Sequence, residues 1–133
     1  MDTPQLPPLI DQPIKAGFPN PAEDAQAGNP LDLNQLVLKH PAATFYLKVE
    51  GDSMQGIGLK TGDVVAVDRS LEPRHGDVVV AAVNGEFTLK RLKKETGKAW
   101  LVAENPQFAP IALHEADDAV IWGVVTYAIQ KLR

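Results

Sequence analysis

The stretch Asp77-Val-Val-Val-Ala-Ala-Val-Asn-Gly-Glu-Phe-Thr-Leu-Lys-Arg-Leu92 decides the fold of this chain. Its centre, Asn84-Gly85, favours a type I′ turn, because both turn positions need a positive φ. The flanking residues therefore form the two strands of a hairpin, residues 77–83 and 86–92. Further runs of strand character occur at residues 44–50, 63–68, 99–103 and 119–128. Together they predict a mainly β, sheet-like or barrel-like domain.

The N-terminal 31 residues differ from this pattern. Seven of the 11 prolines lie within residues 1–30. Proline removes amide donors and is excluded from helix interiors. Residues 1–31 are therefore expected to form an extended or loosely ordered arm, followed by a β-rich domain at residues 32–133.

One short helix is predicted at the start of that domain. Asp32 is a suitable N-cap, with Gln35 three residues later. Leu33, Leu36 and Val37 follow at helical spacing, and Pro41 ends the pattern. His40 is interpreted as a residue that caps the C-terminal end of this helix.

Composition excludes several classes of protein. A net charge of -4 argues against a general electrostatic nucleic-acid binder. The absence of cysteine excludes disulfides, thiolate metal sites and a cysteine nucleophile. The N-terminus has neither a basic nor an apolar region, so no signal peptide is expected, and the longest nearly apolar run, residues 119–129, is too short to span a bilayer. We therefore expect a cytoplasmic protein without a cofactor, a metal or a membrane contact, in which Asp63 and Asp77 bind turn amides rather than a metal.

The segment Gly51-Asp52-Ser53-Met54 indicates a nucleophile. It follows a predicted strand and opens a glycine-rich turn, where a serine can be held rigidly and still be exposed. A serine needs a base to react at neutral pH. The three histidines, His40, His75 and His114, lie outside the predicted strands, so a Ser-His-Asp triad stays open as one alternative.

Lys90 is the second candidate base. It lies centrally on the predicted strand 86–92, on the face that also carries Thr88. Burial would disfavour its charged form, and a neutral lysine could take the proton from Ser53 Oγ. The alternative interpretation is a solvated edge, because five of the 13 basic residues lie between positions 90 and 98.

A candidate substrate lies in the N-terminal arm. Ala16-Gly17 is a pair of small residues in a proline-flanked strip, Ile14-Lys-Ala-Gly-Phe-Pro-Asn-Pro21. Such a strip could enter a cleft and expose a peptide bond to attack. A plain disordered terminus is the alternative interpretation.

In combination, these motifs resemble the LexA-like self-cleaving serine peptidases, and in particular the UmuD-like proteins of the bacterial DNA-damage response. The matching pieces run in order along nearly the whole chain: Ala16-Gly-Phe-Pro19 with Pro21, Asp32-Leu-Asn-Gln-Leu36, His40-Pro41, Gly51-Asp-Ser-Met54, Gly62-Asp63, His75-Gly-Asp77, Ala81-Ala-Val83, Gly85-Glu-Phe-Thr88, Lys90 and Gly123-Val-Val125. Some UmuD proteins have Cys-Gly in place of Ala16-Gly17, and residues 23–31 do not match closely.

The resemblance implies a LexA/signal-peptidase-like β-rich fold and a set of residue roles. It makes Ser53 the nucleophile and Lys90 the general base of a Ser-Lys dyad. It makes Ala16-Gly17 the scissile bond of an autocatalytic cleavage that leaves residues 17–133. The backbone amides of Asp52 and Ser53 would hold the oxyanion.

The resemblance also implies partners. These are a second copy of the chain in a homodimer, a RecA filament on single-stranded DNA that stimulates cleavage in the SOS response, and a Y-family, UmuC-like polymerase that the processed form serves in translesion synthesis. About 30 residues precede the predicted helix, too few for the DNA-binding domain of a LexA-like repressor, so no sequence-specific DNA binding is expected. The alternatives are a non-catalytic binding module for such a polymerase, a repressor fragment, or a signal-peptidase-like enzyme.

Overall fold

The structure, a computed structural model, describes residues 5–11, 13–17 and 26–133. The chain divides into two compact units, residues 1–39 and 40–133. In the first unit, strand β1 (Pro8–Ile10) pairs antiparallel with β2 (Ala27–Pro30). The sequence predicted an extended arm but not this pairing. The prolines obscured it, although Pro8 and Pro30 pair at the end of the ladder, where a missing N–H donor is tolerated.

The predicted helix is present in the same unit as α1 (Leu33–Val37). The Asp32 side chain accepts a hydrogen bond of 2.9 Å from the amide of Asn34, so the predicted N-cap is confirmed. The helix covers the apolar positions but ends before the predicted stop at Pro41, and Leu38 is its C-cap residue.

The second unit is built on one antiparallel seven-stranded sheet. The strands are β3 (Thr44–Lys48), β4 (Val64–Asp68), β5 (Val78–Val83), β6 (Glu86–Glu95), β7 (Lys98–Val102), β8 (Ile111–Ala112) and β9 (Ala119–Ile129). Their order in the sheet is β3-β4-β9-β5-β6-β7-β8. The predicted mainly β fold is confirmed. β9 lies between β4 and β5 and pairs with both.

The hairpin that organises the sequence forms as predicted. Asn84 and Gly85 have φ values of 53° and 79°, which place Val83 opposite Glu86. β6 continues beyond its predicted end at residue 92 because residues 91–95 pair with β7. A second two-residue turn, Thr96-Gly97, also has positive φ at both positions, 42° and 77°.

The apolar residues of β5 divide between two hydrophobic clusters. Val78 and Val80 pack against the first cluster, whereas Val79 and Ala81 belong to the second. Alternate side chains of a strand point to opposite faces, so a strand covered on both faces has a continuous apolar sequence. The first cluster contains Val49, Met54, Leu59, Val65, Val67 and Val80, and the second contains Val79, Ala81, Leu92, Leu101 and Val124.

His40 has a different role from the predicted one. The helix ends at Val37, before His40 is reached, so the prediction that His40 caps the helix is wrong. Instead, His40 Nδ1 lies 2.6 Å from Oδ2 of Asp68, a buried carboxylate at the end of β4. The sequence pattern gave no signal for this contact, because 28 positions separate the two residues.

Within the part of the chain that the structure describes, no helix is both long and apolar enough to cross a membrane.

Candidate active site

Ser53 lies in the connection between β3 and β4. The base of this connection is closed by two backbone hydrogen bonds, from Val49 N to Asp63 O at 2.7 Å and from Gly62 N to Val49 O at 2.8 Å. Ser53 is half-buried, and its Oγ donates to the carbonyl oxygen of Leu89 at 3.3 Å. The hydroxyl therefore lies against β6, next to the residue that precedes Lys90.

The turn that carries Ser53 is held from both sides by the segment after β7. The buried side chain of Asn105 donates from Nδ2 to the carbonyl oxygen of Asp52 at 3.1 Å. The amide of Gly56 donates to the carbonyl oxygen of Glu104 at 2.8 Å. These two contacts lie on either side of Ser53 in sequence, so the turn is fixed before and after the serine.

The backbone amides of Asp52 and Ser53 are available for a ligand. Among the residues that the structure describes, neither amide donates a hydrogen bond to a protein acceptor. Unpaired amides in a fixed turn are suitable donors for a developing negative charge.

Lys90 is buried, with 6% of its surface exposed, near the middle of β6. It lies opposite Val79 of β5, and its Nζ is 5.3 Å from the centroid of the Phe108 ring. No carboxylate pairs with it within the described ranges of the chain. Desolvation by burial lowers the pKa of Lys90 below the ordinary lysine value of 10.5. The interpretation of this lysine as part of a solvated edge is therefore wrong.

Ser53 and Lys90 are located at the same segment of β6. Ser53 contacts the backbone of Leu89, and Lys90 is the next residue along the strand. In residues 26–133, no hydrogen bond joins the two side chains directly, because the hydroxyl of Ser53 donates to the carbonyl group of Leu89.

A cleft of about 390 Å³ opens beside Ser53. One wall comes from β3 and the residues that follow it, and the other from β5 and β6. Its lining residues are Leu47, Lys48, Val49, Glu50, Gly51, Ser53, Met54, Val65, Val80, Phe87, Thr88 and Leu89. Residues of β3, β5 and β6 contribute to the sides of this cleft, and β3 is an edge strand of the sheet. An edge strand can pair with an extended peptide.

Aromatic rings support the wall of this cleft. Trp122 on β9 packs against Phe45 of β3 at 5.4 Å and against Phe87 of β6 at 4.9 Å between ring centroids. The guanidinium carbon of Arg69 lies 4.5 Å from the centroid of the Trp122 ring. The side chain of Trp122 thus links β3 and β6, which each lie two strands away from β9 in the sheet.

The predicted scissile pair lies in the other unit. Ala16 and Gly17 are both exposed. The remainder of the predicted strip, residues 18–21, lies outside the described residues.

None of the three histidines contacts Ser53 in the described part of the chain. His40 pairs with Asp68, and His75 Nδ1 accepts from the amide of Lys94 at 2.9 Å. His114 Nδ1 lies 3.1 Å from the carbonyl oxygen of Ala99. The arrangement therefore gives no support to a Ser-His-Asp triad.

The two turn aspartates have the roles that the sequence predicted. Oδ2 of Asp63 accepts from the amide of Lys60, and Oδ2 of Asp77 accepts from the amide of Arg74. Across residues 5–11, 13–17 and 26–133, no group of three or more His, Cys, Asp or Glu side chains could hold a metal ion.

The family model of the Peptidase S24-like proteins matches residues 8–126. The chain belongs to the Peptidase S24-like family. A protein named ImpA from Salmonella typhimurium is 42% identical to this S24-like chain over 127 residues, which cover 95% of the chain and 85% of ImpA. SamA from Salmonella typhimurium (strain LT2) is 42% identical over 126 residues, 95% of this chain and 86% of SamA. The predicted resemblance to a UmuD-like S24 protein is confirmed.

A further relative of this S24-like chain carries the name LexA repressor. The protein, from Pseudomonas chlororaphis, is 47% identical over 93 residues, which cover 69% of this chain and 46% of the repressor.

Sequence reasoning did not identify Asn105 or Phe108 as part of the site of this S24-like chain. Asn105 and Phe108 lie in the loop between β7 and β8. The contacts of this loop with Asp52 and Lys90 join segments far apart in sequence, and only the folded sheet brings those segments together.

Proposed function

We propose that this chain is a self-cleaving serine peptidase in which Ser53 and Lys90 form a Ser-Lys dyad that cuts the Ala16-Gly17 bond. The observation that carries the proposal is a lysine buried without a carboxylate, one residue along β6 from the carbonyl that accepts the Ser53 hydroxyl. A structural cation would normally be paired or exposed. Burial without a partner costs stability and gives a lysine whose neutral form is accessible.

The first step begins with a rotation of the Ser53 hydroxyl. The hydroxyl now donates to Leu89 O, and it must turn toward Nζ of neutral Lys90. Nζ takes the proton as Ser53 Oγ attacks the carbonyl carbon of Ala16, so a C–O bond forms and the carbonyl π bond becomes an oxyanion.

The oxyanion needs donors at the point where its charge develops. The unpaired amides of Asp52 and Ser53 lie in the turn that carries the nucleophile. In a site from which water is excluded, such donors stabilise the transition state more than the ground state. We assign them this role.

Collapse of the tetrahedral intermediate completes acylation. The C–N bond between Ala16 and Gly17 breaks, and protonated Lys90 gives its proton to the departing amine of Gly17. Neutral Lys90 then takes a proton from water as that water attacks the acyl group on Ser53. The bond between the Ala16 carbonyl carbon and Ser53 Oγ breaks, and protonated Lys90 returns the proton to Oγ. The products are residues 1–16 and residues 17–133.

The test is incubation of the purified chain at alkaline pH, with N-terminal sequencing of any fragment. Wild-type protein should yield a fragment that begins at Gly17. Ser53→Ala should abolish it, and Lys90→Ala should slow it by at least about 10³-fold. Lys94→Ala removes an exposed lysine from the same strand and should cleave like wild type. Formation of the Gly17 fragment by Ser53→Ala would contradict the dyad.

The resemblance to UmuD-like proteins extends the proposal to regulation. In this extension the chain is a homodimer, and a RecA filament on single-stranded DNA favours the cleavable state in the SOS response. Such a filament must bind that state better than the other, because a ligand shifts an equilibrium only through differential affinity. Adding the filament at neutral pH should then accelerate appearance of the Gly17 fragment in wild type and not in Ser53→Ala.

The processed form is proposed to serve as accessory subunit of a Y-family, UmuC-like polymerase. This role is separable from the chemistry. Co-purification of residues 17–133 and of uncleaved Ser53→Ala with such a polymerase tests it. Equal binding by both forms would remove any role of processing in docking.

A further inference from the structure

A buried asparagine lies directly behind the nucleophile. Asn105 is 4% exposed and comes from the segment after β7, about 50 residues along the chain from Ser53. Its Oδ1 accepts from the amide of Gln107 at 3.0 Å, and its Nδ2 donates to Asp52 O at 3.1 Å. The first bond is local to the loop, whereas the second fixes the backbone at the nucleophile.

The carbonyl that Asn105 holds belongs to the peptide group that contains the Ser53 amide. A trans peptide group is planar, and its C=O and N–H point in opposite directions. Holding the Asp52 oxygen toward Asn105 therefore turns the Ser53 N–H away from Asn105. That N–H has no acceptor among the described residues.

The hydrogen bond is well placed to resist rotation of this peptide group. The same carbonyl oxygen also accepts from the amide of Gln55 at 3.2 Å, a bond within the turn itself. The bond from Asn105 is the one that ties this peptide group to a separate segment of the chain. Here the second anchor, Gly56 N to Glu104 O at 2.8 Å, fixes the far side of the same turn. A Cβ on Gly56 would lie 2.6 Å from Glu104 O, which shows how closely the two segments approach.

From this geometry we propose that Asn105 is a positioning residue for the oxyanion site, which it aligns through the carbonyl group of Asp52. The inference rests on the proposed self-cleavage by Ser53. Asn105 does not touch the scissile bond and acts only through the Asp52-Ser53 peptide group. Its loss leaves the nucleophile and the base in place and misaligns one oxyanion donor.

The test compares first-order rates of formation of the Gly17 fragment across alkaline pH for wild type, Asn105→Ala and Gln107→Ala. Asn105→Ala should lower the limiting rate about 10- to 100-fold, because removal of an oxyanion donor outright costs about 10²- to 10³-fold. The midpoint of the pH profile should stay at the wild-type value, since Lys90 sets it. Gln107→Ala keeps the backbone amide that bonds Asn105 and should match wild type in both quantities.

A purely structural role would give a different result. If Asn105→Ala loosened the loop around Lys90, the midpoint would move because the desolvation of Lys90 would change, and this outcome would overturn the proposal. A limiting rate within about twofold of wild type in folded Asn105→Ala would also overturn it.

A second variant covers the case in which Asn105→Ala does not fold at the assay temperature. Asn105→Asp keeps the size of the side chain and the acceptor for the Gln107 amide, and it lacks the donor to Asp52. Its limiting rate, measured above the midpoint, should show the same loss, and a wild-type limiting rate would overturn the proposal. Formation of the fragment by Ser53→Ala would instead overturn the proposed function together with this inference, so the two failures are distinguishable.

Discussion

The Ser53 hydroxyl lies 3.3 Å from the carbonyl oxygen of Leu89 and donates its proton to it. This contact places the nucleophile on the β6 backbone one residue before Lys90. It also means that the proton of the hydroxyl points to a backbone acceptor, which is not a base. The proposed dyad therefore requires a change of hydrogen-bond partner before reaction, and this change is one reason to expect slow cleavage without a stimulus.

The pH profile of self-cleavage follows from the environment of Lys90. Burial lowers the pKa of Lys90 below 10.5, and only the neutral amine can take the proton of Ser53. The rate of Gly17-fragment formation should rise about tenfold per pH unit below the pKa of Lys90 and level off above it. The midpoint of the profile should therefore lie below 10.5. Electrophoresis of samples stopped at intervals measures this rate. A rate that is constant over the alkaline range would contradict a neutral lysine base.

Replacement of Lys90 should stabilise the fold at neutral pH. The pKa of Lys90 is lower in the folded state, so the unfolded chain binds the proton more tightly. The charged lysine therefore lowers the free energy of unfolding, and this loss is recovered as the pH rises toward 10.5. Lys90→Met should therefore raise the free energy of unfolding at pH 7, by about 1.4 kcal/mol for each unit between the two pKa values. The advantage should shrink as the pH is raised. Urea unfolding at several pH values measures both effects, and Lys94→Met provides the exposed control.

Asp68 should stabilise the fold at neutral pH, and this stabilisation should be lost in acid. Burial by itself would raise the pKa of Asp68, but hydrogen bonds from Ser70 and His40 outweigh it and hold this pKa below 3.8. The stabilisation is thus present above pH 3.8 and is lost as pH falls through the folded pKa. Asp68→Ala should cost about 1.5–3 kcal/mol at pH 7, because it removes the hydrogen bonds that Ser70 and His40 make to a buried charged carboxylate.

Thermal or urea unfolding checks this cost, with Asp117→Ala as the matched control. Asp117 is exposed and should change stability by less than about 0.5 kcal/mol. If the difference between Asp68→Ala and wild type persisted unchanged at pH 2, the assigned role of the carboxylate would be wrong.

Gly56 should be sensitive to a single added methyl group. A Cβ there would lie 2.6 Å from Glu104 O and 3.2 Å from Glu104 Cβ, so the turn carrying Ser53 must shift. Gly56→Ala should destabilise the fold by about 1–3 kcal/mol and slow self-cleavage even where the protein remains folded. Unfolding curves and cleavage rates are measured on the same sample.

Gly58 provides the comparison for Gly56. It has a φ of 84° and open space around its Cα, so Gly58→Ala introduces backbone strain of about 1 kcal/mol without a clash. Cleavage by folded Gly58→Ala should stay near wild type. Equal slowing in both variants would mean that the contact with Glu104 has no particular effect on the nucleophile.

Local chemistry made much of the fold predictable from the sequence. Asn84-Gly85 was identified as a turn because few residues accept positive φ, and the two flanking strands follow from the turn. Asp32 was identified as an N-cap because its carboxylate can satisfy a free amide. In each case the determining contact lies within a few residues of the signal.

Long-range pairing was not predictable in the same way. Neither the central position of β9 nor the contact between His40 and Asp68 has a local signature, and His40 was assigned to a helix end that the chain does not reach. The candidate site shows the same division. Ser53 was recognisable from its glycine-rich turn and Lys90 from its strand position, whereas the support from Asn105 depends on how β6 and β7 fold over that turn.

β9 joins the two halves of the seven-stranded sheet. β4 and β5 have no ladder with each other, and each pairs with residues 119–129. Ser53 follows β3 in one half of the sheet, and Lys90 lies on β6 in the other. We therefore expect a growing chain on the ribosome to hold the serine and the lysine together stably only after β9 has been made and has left the exit tunnel. Under the proposed mechanism, a nascent chain that already carries Ala16-Gly17 is in this way protected from premature self-cutting.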